Sequence, residues 1–191
     1  MTIWTLRHPP VDRQGRCVGQ TVIETTISGA DAVALAMEAA PFRPGKLFSS
    51  DLPRCATLAR DLAAAWSVPV RTDARLREMD FGEWEGRTYD AIDAEDGPRW
   101  RAWCADWQTI TPPGGESLHA FASRVGGWLE DQAPSPTDAI VTHAGVIRVF
   151  RALGGATWEE AMASDNPFLG WIQHSIQHSI QDRFRRPSIS S

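Results

Sequence analysis

The 191-residue chain is poor in cysteine, has no long apolar run and carries no excess of positive charge. Its three cysteines, Cys17, Cys55 and Cys104, stand far apart. No CxxC pair and no histidine–cysteine cluster occurs, so neither a thiolate metal site nor a disulfide framework is indicated. Reduced thiols in a cytoplasm are the simplest reading. No apolar run approaches the roughly 20 residues that span a bilayer. The opening MTIWTLRHPP lacks a basic stretch followed by a long apolar one, so neither a signal peptide nor a membrane partner is expected. The net charge of −5 speaks against a generic nucleic-acid binder, which shows a basic face. It leaves room for an anionic substrate, because a few arginines in one cleft are strongly positive even on an acidic protein. The sequence specifies no oligomeric state.

What is present is ordinary for a globular protein: 42% hydrophobic and 23% charged residues, in a length that suits one α/β domain. Residues 3–6 read as a short buried strand stopped by Pro9-Pro10. Ser28 caps a helix running to about residue 39, and Lys46 to Ser49 is a second strand. Pro53 opens a helix whose apolar stripe includes Cys55, Leu58, Leu62 and Trp66. Residues 68–71 form a third strand, and residues 73–88 a long polar loop. Residues 89–107 are helical in pieces, broken near Gly97-Pro98. A strong helix carries Leu118, Phe121, Val125 and Trp128 on one face. Residues 138–142 are a strand, 146–153 and 158–163 helices, and 168–172 a last strand.

Strands alternating with helices predict a three-layer sandwich, with a mostly parallel central sheet and helices on both faces. Ligands bind beyond the carboxyl ends of such strands, where His8 and His143 both fall. This domain is expected over residues 1–172. Residues 173–191 read as a poorly ordered or locally helical extension, with the short repeat IQHSIQHSIQ and the cations Arg183, Arg185 and Arg186. His174 and His178 fall at helical i, i+4 spacing, but no carboxylate accompanies them, so no metal ligand set is assigned.

Four segments place paired polar residues where a strand meets a loop. They are Leu6-Arg7-His8, the run Ser49-Ser50-Asp51-Leu52-Pro53-Arg54-Cys55-Ala56-Thr57, the run from Leu76 through Glu78, Asp80, Gly82, Glu83, Trp84 and Glu85 to Gly86, and Val141-Thr142-His143-Ala144-Gly145-Val146. With Pro113-Gly114-Gly115-Glu116-Ser117, this ordered set resembles the histidine phosphatase superfamily, which also holds the cofactor-dependent phosphoglycerate mutases. The likeness covers about residues 2–172, and is strongest toward the small α-ribazole-phosphate phosphatases of cobalamin synthesis. It implies a phosphomonoesterase working through a phosphohistidine on a small phosphorylated substrate, with no metal or other cofactor. A phosphoglycerate mutase-type phosphoryl transfer and a non-catalytic phosphate-binding regulatory module are the alternatives.

The residue chemistry agrees. A transferring phosphoryl group spreads charge over three oxygens and needs donors around it. Arg7 and Arg54 are planar forks that fit such oxygens, and Arg54 lies in the first turn of a helix, where free N–H groups favour an anion. His8, neutral on one nitrogen, is suited to attack phosphorus, and a protonated His143 adds a donor. The leaving alkoxide needs a proton. Glu78 is the candidate acid, with Asp80 and Glu83 as alternatives in the same loop. Arg77 reads as a rim residue. Trp100, Trp103 and Trp107 read as core, or else as a wall for the leaving group. Three features depart from the family pattern, one being the stretch Gly19-Gln20-Thr21-Val22-Ile23, which lacks the acidic residue expected after the threonine. Pro9 stands where a small residue is usual, which removes a backbone donor. The asparagine that many members use as a phosphate contact is missing, with Gln14 or Gln20 as substitutes.

Overall fold

The structure, a computed structural model, describes residues 1–177. Five strands form one sheet in the order β3-β2-β4-β1-β5. They are β1 (Thr2–Arg7), β2 (Lys46–Ser49), β3 (Val70–Thr72), β4 (Asp138–Thr142) and β5 (Trp171–Ser175). β1, β4, β2 and β3 run parallel, and β5 pairs antiparallel with β1 at the edge. The mostly parallel sheet expected from the sequence is therefore present, with one antiparallel edge.

Alternation along the strands sorts side chains into two cores. Leu6, Leu47, Ala139 and Val141 point to one face, where they meet Ala32 and Ala36 of α1 (Gly29–Glu38) and Leu58, Leu62 and Trp66 of α2 (Pro53–Trp66). Ile3, Phe48 and Ile140 point to the other, against α4 (Leu118–Gln132) and α5 (Ala144–Leu153). Every residue of β4 is buried, as a central parallel strand requires. Trp128, fully buried, packs edge-on against Phe48 at 5.3 Å. The short α6 (Trp158–Ala163) packs on α5 and starts with a capping box between Thr157 and Glu160.

α3 (Tyr89–Ala105) is kinked at Asp96, just before Gly97-Pro98. Proline removes a helical donor and disfavours helical backbone before it, which accounts for the break. Asp96 accepts from the indole N–H of Trp84 at 2.9 Å, so the kink also anchors the polar loop.

The C-terminal boundary differs from the sequence expectation. The last strand starts at Trp171, not at 168, because Leu169 adopts a left-handed turn (φ 56°) bonded back to Arg7. It runs to Ser175, so residues 173–175 belong to the sheet and the fold extends past 172. His174 is thus a strand residue, not half of a helical pair. It is 4% exposed, and its Nε2 lies 2.9 Å from Thr5 Oγ1. His178, Arg183, Arg185 and Arg186 lie outside the described residues. Among the described residues no group of three histidine, cysteine, aspartate or glutamate side chains is placed to hold a metal ion.

Burial pushes the His174 imidazole down from 6.5 to about 3. The unfolded chain therefore takes up a proton near pH 6.5 that the folded chain refuses until about pH 3. Stability from this group is complete above pH 6.5 and is lost as the pH falls below it. Denaturation midpoints measured from pH 8 to pH 4 should fall on the acid side, and less steeply in His174→Gln. Parallel curves for the two proteins would refute the assignment.

Candidate active site

The parallel register of β1 and β4 sets Arg7 beside Thr142, so the next residues, His8 and His143, leave the sheet side by side. The His8 amide donates to the Thr142 carbonyl at 3.0 Å. The two rings lie 5.1 Å apart between centroids. His8 Nδ1 is 2.7 Å from the Pro9 carbonyl oxygen. A carbonyl only accepts, so Nδ1 carries the hydrogen and Nε2 keeps its lone pair. Proline loses its N–H but not its carbonyl, which is why Pro9 is compatible with this orientation.

Burial, assisted by the charge of Arg54, pushes the His8 imidazole down to about 3. His143 is fully buried and held well below its ordinary value by burial first, then by its neighbours His8 and Arg54. Both rings are neutral in this structure at physiological pH. Ser50, which follows β2, places its Oγ 2.9 Å from His143 Nε2, and Cys55 Sγ lies 3.4 Å from the same nitrogen.

The arginines are set by short local structures. Arg7 stacks its guanidinium on Phe168, 3.8 Å from the ring centroid, and donates to the Asn166 carbonyl. Its Nε is buried with no partner. Burial lowers its pKa to about 10, so it stays cationic. Arg54, second residue of α2, donates to the carbonyls of Thr21 at 3.0 Å and Gly19 at 2.5 Å.

That 19–21 loop is tied down by Glu85. Its carboxylate accepts from the amides of Gly19 (3.1 Å), Gln20 (2.8 Å), Thr21 (3.0 Å) and Phe81 (3.1 Å), and from the Thr21 hydroxyl. Burial opposes this charge, yet the bonds outweigh it and hold the carboxyl below its usual range. A side chain at Gly19 would meet the Met79 carbonyl at 2.0 Å, so only glycine fits there.

Glu78 is 8% exposed. Its Oε2 accepts from the Gly145 amide at 3.1 Å and its Oε1 from the Met79 amide at 3.1 Å. The carboxyl thus sits against the backbone N–H groups of the first turn of α5. A Cβ at Gly145 would come 1.9 Å from Glu78 Oε1. Arg124 fixes the backbone behind it, donating to the carbonyls of Arg75, Arg77 and Glu78 while pairing with Glu116 at 2.6 Å. The other loop acids are occupied elsewhere. Asp80 caps the Gly82 amide, and Glu83 is exposed beside Arg99.

A cleft of about 480 Å³ opens here. Arg7, Glu78 and Gly145 line one part, and Phe81, Trp103, Trp107 and Trp158 form an aromatic wall. His8, 2% exposed, does not itself line the cleft; Phe168 covers both its ring and Arg7. Trp100 stands outside the cleft and stacks on Trp103 at 5.4 Å, so the three tryptophans divide between wall and support. A second hollow of about 430 Å³ touches Pro9 and Arg54, but neither Arg7 nor Glu78 lines it.

Gln20 reaches the site's frame, donating to the Glu78 carbonyl at 3.3 Å and lying 3.4 Å from Arg77. Gln14 does not. It is exposed, bonded to Asp12, and lines neither cleft. Arg77 pairs with Asp51 at 2.6 and 2.7 Å on the rim. Glu85, Arg124 and Phe168 were not singled out by sequence reasoning. Only Glu85 had a signal, its place in the Trp-Glu-Gly run.

A family model described as "Histidine phosphatase superfamily (branch 1)" matches residues 3–169. The chain belongs to the histidine phosphatase superfamily. It is 31% identical over 160 residues to the adenosylcobalamin/alpha-ribazole phosphatase of Salmonella typhimurium, spanning 80% of this chain and 78% of the relative. It is 33% identical over 161 residues to the glucosyl-3-phosphoglycerate phosphatase of Mycobacterium tuberculosis, spanning 77% and 72%. The crystal structure of the alpha-ribazole phosphatase from Shigella flexneri superposes with a TM-score of 0.79 at 26% identity, covering 94% of this chain and 97% of that one. The chain is thus a phosphatase of this family.

The phosphatase depends on Glu85 for the shape of its site. Glu85→Ala strands four backbone donors and should cost about 2–4 kcal/mol in urea denaturation. Glu83→Ala, on an exposed side chain, should cost under about 0.5 kcal/mol. Equal losses in the two variants would contradict the assigned role.

Proposed function

We propose that this phosphatase hydrolyses a small phosphate monoester by transferring the phosphoryl group to His8. The observation that carries this reading is the Nδ1–Pro9 bond, which leaves the Nε2 lone pair free on a neutral ring. His8 Nε2 attacks phosphorus as the ester P–O bond breaks, and the leaving alkoxide takes a proton from Glu78. Water then attacks the phosphohistidine, gives a proton to Glu78, and releases phosphate with His8 neutral again. Arg7 and Arg54 answer the charge on the phosphoryl oxygens. His143 joins them, since an arriving dianion opposes the burial that keeps this ring neutral. Arginine and histidine supply the compensation, so no step calls on a cofactor.

The aromatic wall of Phe81, Trp103, Trp107 and Trp158 favours a leaving group with a flat apolar surface. Of the substrates named for its relatives, α-ribazole 5′-phosphate, a nucleoside phosphate with a fused aromatic base, fits that wall best. Partners are then small phosphorylated molecules, with no nucleic acid and no membrane surface. Among the described residues no helix is long and apolar enough to cross a membrane. Free thiols at Cys17, Cys55 and Cys104 suit a reducing cytoplasm.

His8→Ala should lose nearly all turnover while still binding phosphate, because Arg7, Arg54 and His143 remain. Rapid quenching of the wild type at neutral or alkaline pH should trap label on His8. Substantial activity in His8→Ala would overturn the mechanism.

Glu78→Gln should slow the phosphorylation step with alkyl phosphates by about 10²–10⁴-fold, and much less with aryl phosphates whose leaving groups need no proton. Burst-phase rates separate this step from water attack. Gly145→Ala, which crowds the same carboxyl, should show the same contrast. The acid is misassigned if Asp80→Asn or Glu83→Gln shows the contrast and Glu78→Gln does not.

A further inference from the structure

Arg13 lies on the loop between β1 and α1. A turn there, with positive φ at Gln14 and Gly15, is closed by the Arg16 amide donating to the Arg13 carbonyl at 2.8 Å. Isolated bridges from Val11 to Thr25 and from Arg16 to Thr88 hold the loop on either side. The turn sends neighbouring side chains different ways. Gln14 goes outward to Asp12, whereas Arg13 lines the main cleft together with Arg7 and Glu78. It also lines a smaller adjoining cavity of about 90 Å³ with Phe81, Tyr89, Trp100 and Trp103.

Arg7 and Arg54 have committed donors to protein carbonyls, and most other arginines of the described fold are held by carboxylates or carbonyls. The Arg13 side chain makes no hydrogen bond or ion pair among the described residues. Its charge nevertheless bears on Arg7, His8 and Arg54, opposing a positive charge on each. Three cations gather around one neutral histidine. The carboxylates that bear on them are Glu78, Asp165 on Arg7 and Glu85 on Arg54. Glu85 is already bound to the 19–21 backbone, so the unpaired Arg13 guanidinium is the group left to answer an anion. Arg148 also lines the cleft without a carboxylate partner among the described residues, and its charge bears on Arg7.

Building on the phosphohistidine reading, we propose that Arg13 is a third arginine of the phosphoryl site, donating to the phosphoryl oxygens alongside Arg7 and Arg54. It takes the part for which sequence reasoning offered Gln14 or Gln20. A guanidinium brings two parallel donors and a full charge where an amide brings only dipoles. Its place on a loop outside the sheet lets it adjust to the anion without disturbing the strands.

Orthovanadate and inorganic phosphate test this directly, because neither has a leaving group. Arg13→Ala should raise the inhibition constants of both by about 10- to 100-fold. It should lower kcat/KM by a similar factor for aryl and alkyl phosphates alike. Arg13→Lys should recover part of the loss, since it keeps the charge and loses the fork. Gln14→Ala should change neither inhibition constant. Inhibition constants within about twofold of wild type in both Arg13 variants would overturn the proposal. So would a loss confined to one class of leaving group, which would move Arg13 off the phosphoryl site, or a loss carried by Gln14→Ala. Phosphate trapping on His8 is scored separately in the wild type. Failure to trap there sinks the phosphohistidine reading, while the vanadate constants still report whether Arg13 holds the oxyanion.

Discussion

The parallel pairing of β1 with β4 places Arg7 beside Thr142, and each strand is followed at once by a buried histidine. Much of the site follows from that register. The first strand returns by way of α1 to β2, leaving a gap that β4 fills late in the chain. The crevice beyond the carboxyl ends of β1, β4 and β2 is therefore where the strand order changes direction, as ligand sites in open α/β sheets tend to be. β2 contributes Ser50 to His143, and the helix after it contributes Arg54. A slip of one residue between β1 and β4 would turn His8 or His143 away from the other.

Burial and positive surroundings keep both imidazoles neutral, and the Pro9 carbonyl leaves His8 Nε2 with its lone pair free at ordinary pH. Such a site is electrostatically uneasy when empty. Arginines face one another with few carboxylates between them, and Arg7 has a buried nitrogen with no partner. The molecule holds this arrangement by strapping the loops from behind. Glu85 binds the 19–21 and 81 backbone, and Arg124 with Glu116 binds the 75–78 backbone. These side chains need touch no substrate. They keep the 19–21 loop under Arg54 and the backbone at Glu78 in place when no anion is present to do so, which is how a site is preorganised for developing charge.

The aromatic residues divide the work differently. Trp84 and Ile92 sit in a small core of their own, with Trp100 and Trp103 packed on it, and Trp103 reaches through to the cleft. The aromatic wall of the cleft is thus rigid because it is the outer layer of a packed cluster. Phe168, at the turn before β5, covers Arg7 and His8 from the opposite end of the sequence.

Strand and helix periodicity made most of the fold legible, because apolar spacing reports burial regardless of partner. Lys46–Ser49 and Asp138–Thr142 were read with their observed ends, and the helix capped by Ser28 to within a residue of its end. The final strand was not, because its limits depend on pairing with β1 and on a left-handed turn at Leu169 that composition does not signal. His174 looked like half of a helical pair, since a repeat of four residues imitates a helical turn. Its burial against Thr5 exists only once the edge strand has docked. At the site, the residue types and their order pointed to His8, His143, Arg7, Arg54 and a carboxylate among Glu78, Asp80 and Glu83, and the structure sets His8 beside His143 and lines the cleft with Arg7 and Glu78. Which loop acid faces the cleft was settled by packing at Gly145, and which side chain of the 13–14 pair turns inward was settled by a backbone turn. Sequence alone determined the chemical groups, because those are carried by the residues themselves. Only the tertiary structure decided their neighbours and directions, because these depend on contacts between segments far apart in the chain.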